Sequence, residues 1–123
     1  MARVVLPVTS LPADTAVNVA AIGTTGDPTN DHYIASGRAA GTLIVLAAND
    51  NVAEQTLTFL AGTGGDVGPG WRSTLGDLEV TIAATSGQQM IHLTDTARFM
   101  QSDGTINVDV SSVDVTVTVF GLS

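Results

Sequence analysis

The chain has 123 residues, no cysteine and no lysine, and twelve acidic residues against four arginines give a formal net charge of −8. Disulfides, thiolate zinc sites and cysteine nucleophiles are thereby excluded, and a surface this acidic repels nucleic acid and anionic lipid. Hydrophobic residues make up 44% of the chain but aromatics only 4%, so a single core built from Val, Leu, Ile and Ala on strands is expected.

Residues 1–15 contain Pro7 and Pro12, which interrupt the early apolar run too soon for a signal peptide and suppress helix. They predict an extended N-terminal arm whose Val4, Val5 and Leu6 need an apolar surface and which orders on a partner. Residues 16–123 are expected to form one domain. Val17, Val19 and Ala21 suggest a weak first strand, and residues 29–33 read as a loop. Asp27, Asn30 and Asp31 offer oxygen ligands there, but the EF-hand spacing is absent and no metal or other cofactor is assigned. The continuous apolar run 42–48 predicts a strand covered on both faces or lying at a subunit contact. Residues 55–60 alternate, and the Asn49-Asp50-Asn51 break between the two runs predicts a hairpin.

The stretch 61–72, AGTGGDVGPGWR, has the look of a phosphate loop but lacks its parts. There is no lysine, the residues after it alternate like a strand, and the third glycine of a dinucleotide fingerprint would fall at Val67. A long connection between strands is expected instead, with Gly65, Gly68 and Gly70 supplying backbone freedom. Trp71 and Arg72 have two readings, a lid over the end of the domain or a loop-borne partner contact of the kind that dominates binding energy. Leu78, Val80 and Ile82 predict a strand, and residues 89–93 another after the Ser86-Gly87 turn. At the C-terminus, Ile106, Val108 and Val110 share one parity, and Val113, Val115, Val117 and Val119 the other. A two-residue turn at Ser111-Ser112 would pair Val110 with Val113 and place all seven on one sheet face.

Short strands separated by turns, without helical periodicity, predict an all-β fold: an antiparallel β-sandwich, jelly-roll or Ig-like, of about eight strands. No stretch approaches a membrane span. His32 and His92 lack metal-site spacing, no G-x-S-x-G elbow is present, and aromatics to line a sugar cleft are scarce, so no enzyme is expected.

Residues 93–109, LTDTARFMQSDGTINVD, resemble small head proteins of tailed bacteriophages through the run Ala97-Arg98-Phe99-x-Gln101-x-Asp103-Gly104 followed by alternating strands. Residues 41–49 and 55–59 resemble their central strands, so the likeness spans residues 33–119. It implies a capsid decoration or cement protein: a structural virion component on the outer face of an icosahedral head, commonly a homotrimer, bound to the major capsid protein across subunit seams. Such a protein is made in the host cytoplasm. No catalytic residue is implied, and Val4, Val5, Leu6, Trp71 and Arg72 are the expected partner contacts. The alternatives are a glycan- or host-surface-binding module displayed on a virion, using Trp71 and the loop acids, and a small hydrolase.

Overall fold

The computed structural model describes residues 3–11, 14, 16–35, 42–62, 76–93, 98–101 and 103–121. Among them are ten strands: β1 (Val4–Val5), β2 (Val8–Ser10), β3 (Thr24–Thr25), β4 (His32–Ile34), β5 (Leu43–Asn49), β6 (Gln55–Phe59), β7 (Leu78–Ile82), β8 (Gly87–Leu93), β9 (Ile106–Val110) and β10 (Val115–Gly121). One helical turn, α1 (Val19–Ile22), interrupts the pattern. The first sheet has the order β1-β4-β9-β6-β7, and the second β2-β10-β5-β8 with β3 beside β2 on β10. One core cluster draws on both sheets: Ile34, Leu57, Phe59, Ile82, Ile106 and Val108 from the first, and Leu43, Val45, Leu93, Val115, Val117 and Val119 from the second. The expected β-sandwich architecture is therefore present, with inward residues alternating along each long strand as a two-layer core requires.

The connectivity differs from the expected hairpins. β9 pairs with β4 and β6, whereas β10 pairs with β5, β2 and β3. The Ser111-Ser112 corner thus carries the chain from one sheet to the other, and Val113 is 57% exposed rather than paired with Val110. The parity flip is real, but it marks an arch: inward positions in the two facing sheets are equally buried. The same holds at residues 50–54, since β5 belongs to the second sheet and β6 to the first. The sheets are also mixed rather than purely antiparallel, because β1–β4 and β2–β10 are parallel. The expected strand at Val17, Val19 and Ala21 is largely replaced by the helical turn.

Residues 1–15, expected as an arm, instead enter both sheets. β1 lies on β4 and β2 on β10, and Leu6 between them is 1% exposed within the core. Leu6 finds its apolar surface inside its own chain. Arg3 reinforces the attachment, with Nη1 donating to Asp109 Oδ1 at 2.6 Å and to the His32 carbonyl at 3.2 Å. The buried His32 accepts the Asp27 N–H at Nε2 (3.0 Å), which leaves the proton on Nδ1 to donate to the Val4 carbonyl (3.2 Å). Both ring nitrogens thus have partners, as a fully buried polar side chain requires.

Candidate interaction surface

The second sheet carries no charge. β2, β3, β5, β8 and β10 contain no Asp, Glu or Arg, so the acids that give the chain its net −8 lie in the first sheet and in the connections. Because Leu43, Val45, Ala47 and Asn49 of β5 face the core, Ile44, Leu46 and Ala48 face outward. Cross-strand register extends this into rows: His92–Ile44–Phe120–Thr9, then Met90–Leu46–Thr118, then Gln88–Ala48–Thr116–Thr25. The apolar run 42–48 thus lies centrally in its sheet, with one face in the core and a half-buried apolar face outside.

α1 lies over part of this outer face. A Cβ on Gly23 would stand 2.6 Å from Thr116 Cγ2, so the absence of a side chain there permits the close approach. Between the helical turn and β8 lies a groove of about 780 Å³ lined by Val19, Leu46, Ala48, Met90, Gln88 and Thr116, among others. Met90, at its rim, is 69% exposed.

At another part of the fold, the described residues of the 97–104 motif brace the base of the long connection between β6 and β7. The Gly62 N–H donates to the Arg98 carbonyl (2.8 Å), Gln101 Nε2 to the Ala61 carbonyl (3.1 Å), and Arg98 Nε and Nη2 to the carbonyls of Gly76 (3.2 Å) and Asp77 (3.3 Å). Asp77 Oδ1 accepts the Ala61 N–H at 2.6 Å, joining the two ends of the connection directly. Phe99 anchors the brace in the core against Phe59, with ring centroids 5.9 Å apart, and Arg98 lies over the Phe99 ring. Asp103 Oδ1 accepts from the Thr105 hydroxyl and, more weakly in effect, from its N–H, which holds its carboxyl below the ordinary value. Gly104 adopts a positive φ in the turn that leads into β9, where its N–H donates to the Gln101 carbonyl at 2.9 Å.

The loop acids are likewise engaged. Asp27 Oδ1 accepts the N–H groups of Thr29 and Asn30, and Oδ2 accepts Asn30 Nδ2, so hydrogen bonding to the Asn30 backbone and side chain lowers its pKa. Asp31 Oδ1 accepts the Val110 N–H. These oxygens shape a turn, and among the described residues no group of three His, Asp or Glu converges on one point.

Of the expected contact residues, Val4 and Val5 are 39% and 41% exposed on β1, at an edge of the first sheet, while Leu6 is internal. Trp71 and Arg72 lie outside the described residues. The uncharged outer face of the second sheet was not singled out from sequence, although the run 42–48 pointed to it. Among the described residues no helix is long and apolar enough to cross a membrane. No family model matches the chain, and no curated protein or solved structure matches it significantly.

Proposed function

We propose that this chain is a capsid decoration protein that binds the major capsid protein on the outer face of a phage head and bridges subunit seams. The observation that carries this reading is the charge-free second sheet of a molecule with net charge −8. Burying ionised side chains without partners is costly, and interface centres are depleted of them. A chain this acidic therefore has a favoured side for close, area-rich contact, and the outer face formed by Ile44, Leu46, Ala48 and Met90 supplies it. Val4 and Val5 add an exposed apolar edge, and Trp71 and Arg72, which fall between β6 and β7 in the sequence, are proposed as further contacts. The likeness of residues 93–109 to small phage head proteins supports the same reading, and the net charge favours a place outside a DNA-filled shell. Stabilisation would come from area buried across seams, multiplied over many copies. The test is the temperature at which shells burst with and without the protein. Decorated shells survive to a higher temperature, and equal burst temperatures contradict the role.

A further inference from the structure

The outer edges of the two sheets are unlike one another. The first sheet ends in β1, only two residues long, and in β7, which carries the exposed Glu79. The second ends in β2, three residues long, and in β8, seven residues long. An edge strand presents a row of unpaired N–H and C=O groups, and proteins blunt such edges with short strands, charges, prolines or bulges. Shortness blunts β1 and β2, and a carboxylate guards β7. β8, with the sequence GQQMIHL, has none of these features.

Its backbone is regular. The positive φ angles nearby fall at Thr85 and Ser86, ahead of the strand, and β8 aligns with β5 without interruption from Leu43–Leu93 to Asn49–Gly87. Among the described residues β5 is its one ladder partner. Gln88, Gln89, Met90 and His92 are all exposed.

We infer that β8 pairs antiparallel with β8 of a second copy, joining the two second sheets into one continuous sheet. A strand that pairs antiparallel with itself obeys a two-fold axis and needs no other complementary surface. Met90 is the central residue of β8. A dyad there sets Met90 opposite Met90, Gln88 opposite His92, Gln89 opposite Ile91 and Gly87 opposite Leu93. No carboxylate meets another in that register, although each copy carries a net −8. The outward side chains of Gln88 and His92 have complementary hydrogen-bonding groups, and Met90 brings its apolar surface beside the Leu46 groove of its own copy. This inference does not depend on the capsid reading, and it gives a dimer rather than the trimer that the resemblance implies.

Sedimentation velocity of the purified chain over a concentration series tests it. The expected species is a dimer, which Met90→Lys converts to monomer by placing two ammonium groups face to face, while Thr81→Lys on the exposed outer face of the first sheet leaves it intact. Because the chain has no cysteine, Met90→Cys supplies a single thiol near the axis. A short bis-thiol reagent should then link two copies, and should fail to link Val52→Cys at the exposed corner between β5 and β6. A monomeric or trimeric wild-type chain, a dimer that survives Met90→Lys, or no linkage through Cys at position 90 overturns the inference.

Discussion

Asn49 joins three segments of chain through one buried side chain. Its Nδ2 lies 3.1 Å from the carbonyls of Ala53 and Ile82 and 3.2 Å from that of Ala83, and its Oδ1 accepts the Asn51 N–H at 2.9 Å. One amide thus ties together the corners after β5 and β7, where backbone groups would otherwise lose partners away from water. Asn49→Asp keeps the shape but removes the donor and buries a charge, so it should lower unfolding free energy by about 3 kcal/mol, measured by denaturant titration. Gly62 is restricted differently: a Cβ there would collide with the Met100 carbonyl. Gly62→Ala forces the backbone apart and should cost about 2 kcal/mol in the same measurement. Asp27 and Asp103 both have pKa values lowered below the ordinary 3.8 by hydrogen bonds they accept. A carboxylate with a depressed folded-state pKa stabilises the fold above its unfolded value, and that contribution disappears as pH falls through the folded value. Stability should therefore fall with acidification below about pH 4, and Asp27→Asn should flatten that fall in a pH series of thermal melts.

At the scale of elements, the long strands β5 to β10 are legible in the sequence, whereas the short β1 to β4, including His32 and Tyr33 in a stretch expected as a loop, and the partners of every strand are not. Alternation at Leu57-Thr58-Phe59, Leu78–Ile82 and Ile106–Val110 reports a half-buried strand because a pleated backbone sends successive side chains to opposite faces. Nothing in that period says which sheet the next strand joins. Ser111-Ser112 satisfies a parity flip as an arch as well as it would as a hairpin, and its missing glycine was the one local hint against a tight two-residue turn. The N-terminal segment departs from the expected arm for a related reason. Val4, Val5 and Leu6 announced a need for cover, but the cover is the protein's own core, reached by parallel pairing that local sequence does not encode. In the 97–104 run, Arg98 and Gln101 hydrogen-bond to both described ends of the connection between β6 and β7, a role that no local sequence pattern announces. Arg98→Ala removes side-chain bonds to the carbonyls of Gly76 and Asp77. Hydrogen exchange at the described ends of that connection should accelerate, with about 1 kcal/mol of local protection lost per bond, while β5 and β10 keep their protection. Uniform loss across all strands would show that Arg98 supports the whole core instead.

At the scale of the molecule, charge is sorted between the two layers. Glu79 and Asp109 belong to the first sheet, and the second sheet is free of charge from β8 to β2. Composition gave the total of −8, but only the pairing of β8, β5 and β10 reveals that the uncharged strands lie side by side. That arrangement is the basis of the proposed role, with the outer face of the second sheet toward the capsid and the β8 edge toward a second copy. The most direct test is co-sedimentation with undecorated capsid shells from the protein's own source, comparing the wild-type chain with Ala48→Glu in the groove and Thr81→Glu on the first sheet. The account predicts saturable binding at a fixed ratio to capsid subunits, weakened at least about tenfold by the groove charge through its desolvation cost and unchanged by the other. No binding by the wild-type chain, or equal binding by all three, would contradict it.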